Sequence, residues 1–287
     1  PPPPPPPPFF LHAHAAIRDA QESRGLGDVY KRQQYKPNEI GIITSPRASL
    51  EDNIGVLSLA KKINTNYVSS AYLNNLPYYK TLSDKFGYLS SSSNIWNLEK
   101  SECNIVVASN ITEDNNLLSL PIKKASKEQS NLIVIDPREI DLTRYAKLWI
   151  KPIPGTEGLV INTISKIIFD QNLEYKDLPS NEVDEFKKFM WNFDPIKIST
   201  ITKVPIDRQY EAAEIISNSS KSSFTFGQDT LTNEFTEEYI NSIYNLAVIT
   251  DNLEGEGKGL YPTFNGIGSS NFYEVFNTNK QSFTCLL

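Results

Sequence analysis

The sequence predicts an α/β protein built on a doubly wound, mostly parallel sheet. Short β-branched runs alternate with helix-like segments along most of the chain, the pattern of a parallel sheet covered on both faces. Two of those runs, Ile105-Val106-Val107-Ala108-Ser109-Asn110 and Leu132-Ile133-Val134-Ile135-Asp136-Pro137-Arg138, stop in small or polar residues and pass into helical stretches. An open α/β sheet makes its ligand crevice at such carboxyl ends. A carboxylate in the second turn suits a base or ribose, and backbone amides in the first suit phosphate, so the pair points to a nucleotide-like ligand.

The elements follow in order. Gly41 to Ser45 reads as a buried strand, and Ser49 with Asp52 three residues on forms a helix-start signature. The helix runs to about Lys62, with Leu50, Ile54, Leu57 and Leu59 as its apolar positions. Tyr67-Val68 is a short strand, Pro77 to Phe86 a helix, and Leu89 to Asn94 a serine-rich loop. After a strand over Cys103–Ser109, a helix is expected over Asn115 to Ala125, kinked or shortened by Pro121. Leu132 to Ile135 is a strand, Leu142 to Tyr145 a single turn and Leu148 to Ile150 a third strand. Pro154-Gly155-Thr156-Glu157 opens a long helix whose apolar face carries Leu159, Ile161, Ile164, Ile167 and Ile168. Val183 to Trp191 and Arg208 to Ile216 are amphipathic helices, Ser223 to Phe226 a strand and Glu237 to Val248 a helix. Gly255, Gly257 and Gly259 make a flexible loop before Pro262.

Bulk properties narrow the function. The 287 residues are 39% hydrophobic and 22% charged with a net charge of −6, which suits a globular protein and disfavours a nucleic-acid partner. No apolar run is long enough to insert directly in a membrane. The two cysteines, Cys103 and Cys285, lie too far apart in the chain for a zinc or cluster motif. Cys103, at the start of an apolar strand, reads as a buried structural thiol. Residues 1–34 begin with eight prolines, and Asp28-Val29-Tyr30-Lys31-Arg32-Gln33 matches the peptide encoded by a sequencing-transposon end. They are therefore expected to be an assembly artefact and disordered. Both histidines, His12 and His14, fall in that stretch, so the body lacks the base that triads and zinc hydrolysis need.

The candidate motifs also have plainer readings. Gly255-x-Gly-x-Gly follows a helix where the dinucleotide fingerprint follows a strand. Asp136-Pro137-Arg138 also fits a strand-ending turn, Thr156-Glu157 a helix cap, and Glu113 a solvated helix start.

Taken together, the order and spacing of the motifs resemble the molybdopterin oxidoreductases of the formate dehydrogenase type. Ser45-Pro46-Arg47-Ala48-Ser49-x-Glu51-Asp52-Asn53 is similar to their S-x-R-x-[ST]-x-E-[ED]-N segment, and Ala108 to Glu113 to G-S-N-P-T-E. Val134 to Arg138 resembles V-V-D-P-R, Ile150 to Glu157 resembles L-K-P-G-T-D, and Ala247 to Asn252 resembles A-L-L-T-G-N. The likeness runs from about Gly41 to Phe264. It implies the α/β fold of the first three formate dehydrogenase/DMSO reductase domains and a bis(molybdopterin guanine dinucleotide) cofactor. Asp136 would then read guanine, with Ser109, Asn110, Glu113, Arg138, Gly155 and Glu157 beside the dinucleotide. The implied division is residues 35–74 in one α/β domain, 75–262 in a Rossmann-like dinucleotide-binding domain, and 263–287 as a truncated return to the first. An iron–sulfur cluster would belong only to a region upstream of this chain.

Departures from the family pattern bear on function. The metal-ligand position of catalytic members falls on Asn74 and the following histidine on Asn75. An amide is a poor soft-metal ligand and no proton acceptor, so no metal is expected at Asn74. The arginine of P-L-R-G-Q-N-N falls on Phe264. The serine-serine form of the segment Asn64 to Pro77, at Ser69-Ser70, resembles the non-catalytic large iron–sulfur subunit of NADH:quinone oxidoreductase, which implies a scaffold with its pterin dinucleotide absent or vestigial. The alternative is a divergent molybdenum or tungsten oxidoreductase such as a formate dehydrogenase. Either implies other subunits of a respiratory or formate-oxidising complex as partners, in the cytoplasm or peripheral to its membrane.

Overall fold

A computed structural model describes residues 34–70, 76–174, 180–191, 193–230, 233–264, 266, 270 and 272–275. The proline run, the adapter-like peptide, Asn74, Asn75 and Cys285 lie outside the described residues.

The chain first forms β1 (Gly41–Thr44), α1 (Leu50–Ile63) and β2 (Tyr67–Ser70), with β1 and β2 paired in parallel. Ser49 and Asp52 make the expected reciprocal cap: the Asp52 N–H donates to Ser49 Oγ at 3.1 Å and the Ser49 N–H to Asp52 Oδ2 at 3.2 Å. Ala60, Val68 and Phe272 form a small core here, so a segment distant in sequence packs against this unit.

After α2 (Leu76–Phe86) come β3 (Cys103–Val107), α3 (Ile111–Asp114), α4 (Asn116–Lys127), β4 (Asn131–Ile135) and β5 (Leu148–Ile150). Then follow α5 (Glu157–Asp170), α6 (Ser180–Met190), α7 (Pro195–Thr202), α8 (Ile206–Ser217), β6 (Ser222–Phe226), α9 (Thr236–Ile249) and β7 (Gly259–Pro262). The five strands lie in the order β5-β4-β3-β6-β7, all parallel. Cys103, Ile105 and Val107 face the core formed with α5, α8 and α9, while Val106 faces the opposite core with Leu98, Ile122 and Leu142. Burial on both faces explains why these strands read as continuous apolar runs. Cys103 is fully buried, and burial pushes its thiol up to about 12.

Four local expectations are corrected. The first strand is not buried: of β1 only Thr44 is, and Ile43 is 69% exposed. The stretch before Pro262 is not wholly a loop: Gly259–Pro262 is β7, paired with β6 at the sheet edge, where a proline is tolerated. Gly257 and Gly259 serve packing, since a Cβ there would lie 2.6 Å from the Lys100 carbonyl and 3.0 Å from Ser93, respectively. Pro121 does not end α4, which runs on to Lys127 with Pro121 turned into the core. Thr156 does not cap α5 with its side chain; its hydroxyl donates back to the Ile153 carbonyl at 2.7 Å.

Candidate functional site

From β3 the chain winds outward through β4 to β5, then returns to place β6 on the other flank of β3. The crossover direction therefore reverses between β3 and β6, and a doubly wound sheet opens its crevice there. Two buried tyrosines brace this point from one core: the Tyr78 hydroxyl donates to the Phe226 carbonyl at 3.1 Å and the Tyr239 hydroxyl to the Val107 carbonyl at 3.3 Å. Burial raises both phenols well above their ordinary value, so both remain donors.

At the end of β3, Ala108 takes φ 47°, a left-handed conformation that suits the glycine found there in the family-like motif. The turn brings Ser109 against Thr263, their hydroxyls 2.8 Å apart. It also directs the Asn110 N–H to Asp229 Oδ2 at 3.0 Å.

At the end of β4, Asp136 is fully buried. Its Oδ1 accepts from the Arg138 backbone N–H at 2.8 Å and from Arg138 Nε at 3.0 Å, and its Oδ2 from Arg138 Nη2 at 3.0 Å. The strand-ending turn is present, and the same three residues close an internal ion pair that the sequence reading did not anticipate. Arg138 Nη2 also reaches Asp229 Oδ2 at 3.0 Å, so one guanidinium ties the ends of β4 and β6 together.

Glu157 begins α5 and is fully buried; its Oε1 accepts from the Thr230 hydroxyl at 2.6 Å. Burial raises this carboxyl above its ordinary value near 4.5, opposed chiefly by the Thr230 hydrogen bond. An acid raised on folding contributes stability below its ordinary pKa and loses it as pH climbs through the folded value. Glu157→Gln is therefore expected to flatten the fall in stability that wild type shows as pH rises above the ordinary carboxylate range. Urea unfolding of both proteins over that rise checks it.

The other predicted residues take different places. Gly155, at φ 84°, makes the left-handed turn into α5, and Glu113 is exposed on α3. A cleft of about 820 Å³ opens over the crevice, lined by Arg138, Lys151, Ile153, Lys203, Asp229, Thr230 and three prolines. Of the seven predicted residues only Arg138 lines it. Asp136 lies beneath Arg138, and Glu157 beneath Thr230. Sequence reading missed Gly227, Asp229 and Thr230, which follow β6, together with the cleft lysines. Gly227 was a signal in plain view, an isolated glycine closing a β-branched and aromatic run. A second cleft of about 730 Å³, between α5, α6 and α9, shares only Gly155 with the predicted set.

These residues do not fit a bound pterin dinucleotide as they stand. Asp136, to which the family likeness would give guanine, is fully buried and accepts three hydrogen bonds from Arg138, and an internal carboxylate, Asp229, accepts from the Asn110 N–H that the likeness would give to the dinucleotide.

Comparison with known proteins accounts for the architecture. The molybdopterin oxidoreductase family model matches residues 26–280. The F420-dependent formate dehydrogenase 1 subunit alpha of Methanococcus maripaludis is 27% identical over 237 residues, covering 81% of this chain and 35% of its own length. The corresponding alpha subunit of Methanocaldococcus jannaschii is 28% identical, covering 79% of this chain and 34% of its own length. The chain therefore spans about a third of these relatives. Among solved structures, the acetylene hydratase of Pelobacter acetylenicus superposes with a TM-score of 0.64 at 18% identity, over 84% of this chain and 34% of that one; this likeness concerns the fold. No helix among the described residues is long and apolar enough to cross a membrane. With the family match covering nearly the whole chain and the doubly wound sheet beneath it, the chain belongs to the molybdopterin oxidoreductase family.

Proposed function

We propose that the chain is a cradle region from the large subunit of a redox complex, retained as a scaffold and not as a catalyst. Phe264 carries this reading. The motif likeness sets it where catalytic relatives have arginine. Its ring stacks on Tyr79 at 5.6 Å and 17°, edge-on to Tyr78 at 6.1 Å, and Tyr79 stacks in turn on Tyr273 at 5.8 Å. Aromatic carbon fills the position, and it can neither orient an anion by charge nor donate as a guanidinium does. Asn74 at the metal-ligand position supports the same reading from sequence.

The chain's own residues then have structural work. Arg138 joins two strand ends and covers Asp136, while Ser109 and Thr263 close β3 against β7. The large subunit of NADH:quinone oxidoreductase is the precedent for such a role. Two relatives bear the name of alpha subunits, which supports other subunits of a respiratory or formate-oxidising complex as partners, at a cytoplasmic or peripheral location.

Metal analysis of the chain purified with its partners tests the reading. Molybdenum and tungsten well below one per chain, with no extractable pterin, are expected. Stoichiometric metal with pterin would overturn the scaffold in favour of a divergent molybdenum or tungsten oxidoreductase.

A further inference from the structure

Asp229 belongs to none of the motifs that carry the family likeness, yet it holds the centre of the crevice. Its Oδ2 accepts from the Asn110 N–H and from Arg138 Nη2, each at 3.0 Å. Its own N–H donates to the Ala108 carbonyl at 3.2 Å, which fixes the backbone beneath it. A backbone amide and a guanidinium aimed at one point form a donor set for an oxyanion, and Lys151 and Lys203 line the same cleft. The Asp229 side chain is 9% exposed. Beside it, Gln228 is 3% exposed with neither amide atom partnered, and the buried Asn110 Oδ1 has no partner either. The site is thus rich in unused polar groups around a position already filled by a carboxylate.

We propose that Asp229 is an internal stand-in for a ligand phosphate, occupying the oxyanion position and thereby excluding phosphate esters and diphosphates from the crevice. An incoming phosphate meets the Asp229 charge unless it displaces the carboxylate from both donors. The assignment rests on reading the crevice as a former dinucleotide cradle. It makes Asp229 the residue that sets which ligands the crevice accepts.

Calorimetric titration of the full chain with inorganic pyrophosphate and, separately, with guanosine tests this. Wild type is compared with Asp229→Asn, which keeps an acceptor for the Asn110 N–H and removes the charge. Asp229→Ser provides a second background should the first variant fold poorly, with folding read by circular dichroism. In either variant, pyrophosphate affinity is expected to rise roughly tenfold or more at about 50 mM salt, and the gain to shrink as salt increases. The Asn110 amide resonance should shift with the titration. Equal pyrophosphate affinity in wild type and variants, or a gain that leaves the Asn110 amide unmoved, would overturn the proposal. A pyrophosphate gain without guanosine binding would uphold Asp229; the cradle reading sinks if guanosine still fails to bind when Arg138→Ala is added to uncover Asp136. Guanosine binding without a pyrophosphate gain would overturn Asp229 and uphold the cradle reading.

Discussion

Arg138→Ala is expected to destabilise the chain by about 3 kcal/mol, seen as a lower urea midpoint with an unchanged slope. The reason is the asymmetry of burial in the pair. Asp136 has no exposure, whereas the Arg138 side chain is 44% exposed. Removing the guanidinium leaves a buried carboxylate with one backbone N–H, and breaking a buried pair from that side costs about 3–5 kcal/mol. Partial solvation of Arg138 places the expected loss at the lower end. Removing the charge from the other side costs less. Asp136→Asn leaves a guanidinium that can turn toward water or remain on Asp229, for a loss of about 1–2 kcal/mol. Equal losses from the two substitutions would mean that water reaches Asp136, and the covered-carboxylate geometry would be wrong. Arg138→Lys should fall between them, because an ammonium cannot reproduce the two-pronged contact with Asp136.

What was legible in the sequence was what burial writes locally. Val106, Val134 and Ile150 announce β3, β4 and β5 because each strand is covered on both faces and tolerates little but apolar residues. The β7 strand escaped notice because Gly-Leu-Tyr-Pro carries neither alternation nor a β-branched residue; its pairing comes from β6. The α7 helix, rich in isoleucine and threonine, has weak intrinsic preference. Its signal was Asp194 before Pro195, where the Asp194 carboxylate accepts from the Ile196 N–H at 3.0 Å. Asp136 and Arg138 could be found because they stand two positions apart and their interaction is local. Asp229 could not, because it acts on Asn110, 119 positions away, and on Arg138, 91 away. Only the return of β6 to the flank of β3 brings them together, and no local pattern encodes which strand lies beside which.

The same convergence makes Gly227→Ala the most damaging small substitution at the crevice, at an expected cost of about 4 kcal/mol. A methyl group there would meet Thr263 Oγ1 at 2.7 Å, the Ala108 carbonyl oxygen at 2.8 Å and Ser109 Cβ at 2.8 Å. None of these atoms is the free end of a flexible side chain. Ser109 and Thr263 are almost fully buried and bonded to each other, Thr263 Oγ1 also donates to the Phe226 carbonyl at 3.2 Å, and the Ala108 carbonyl accepts from the Asp229 N–H. Making room means parting the ends of β3 and β7 from β6. That combines overpacking, typically 1–3 kcal/mol, with about 1–3 kcal/mol for a buried hydroxyl pair left without partners. Gly55→Ala provides the control. Gly55 lies on the exposed side of α1 with nothing within 4 Å of a built Cβ, so the same methyl should stabilise by about 0.5–1 kcal/mol through helix preference. Opposite signs from one chemical change, measured by urea unfolding, would locate the cost at the switch point and not in a general intolerance of added volume. A Gly227→Ala protein as stable as wild type would mean that the three strand ends do not meet there, and the cover over the crevice would lose its foundation.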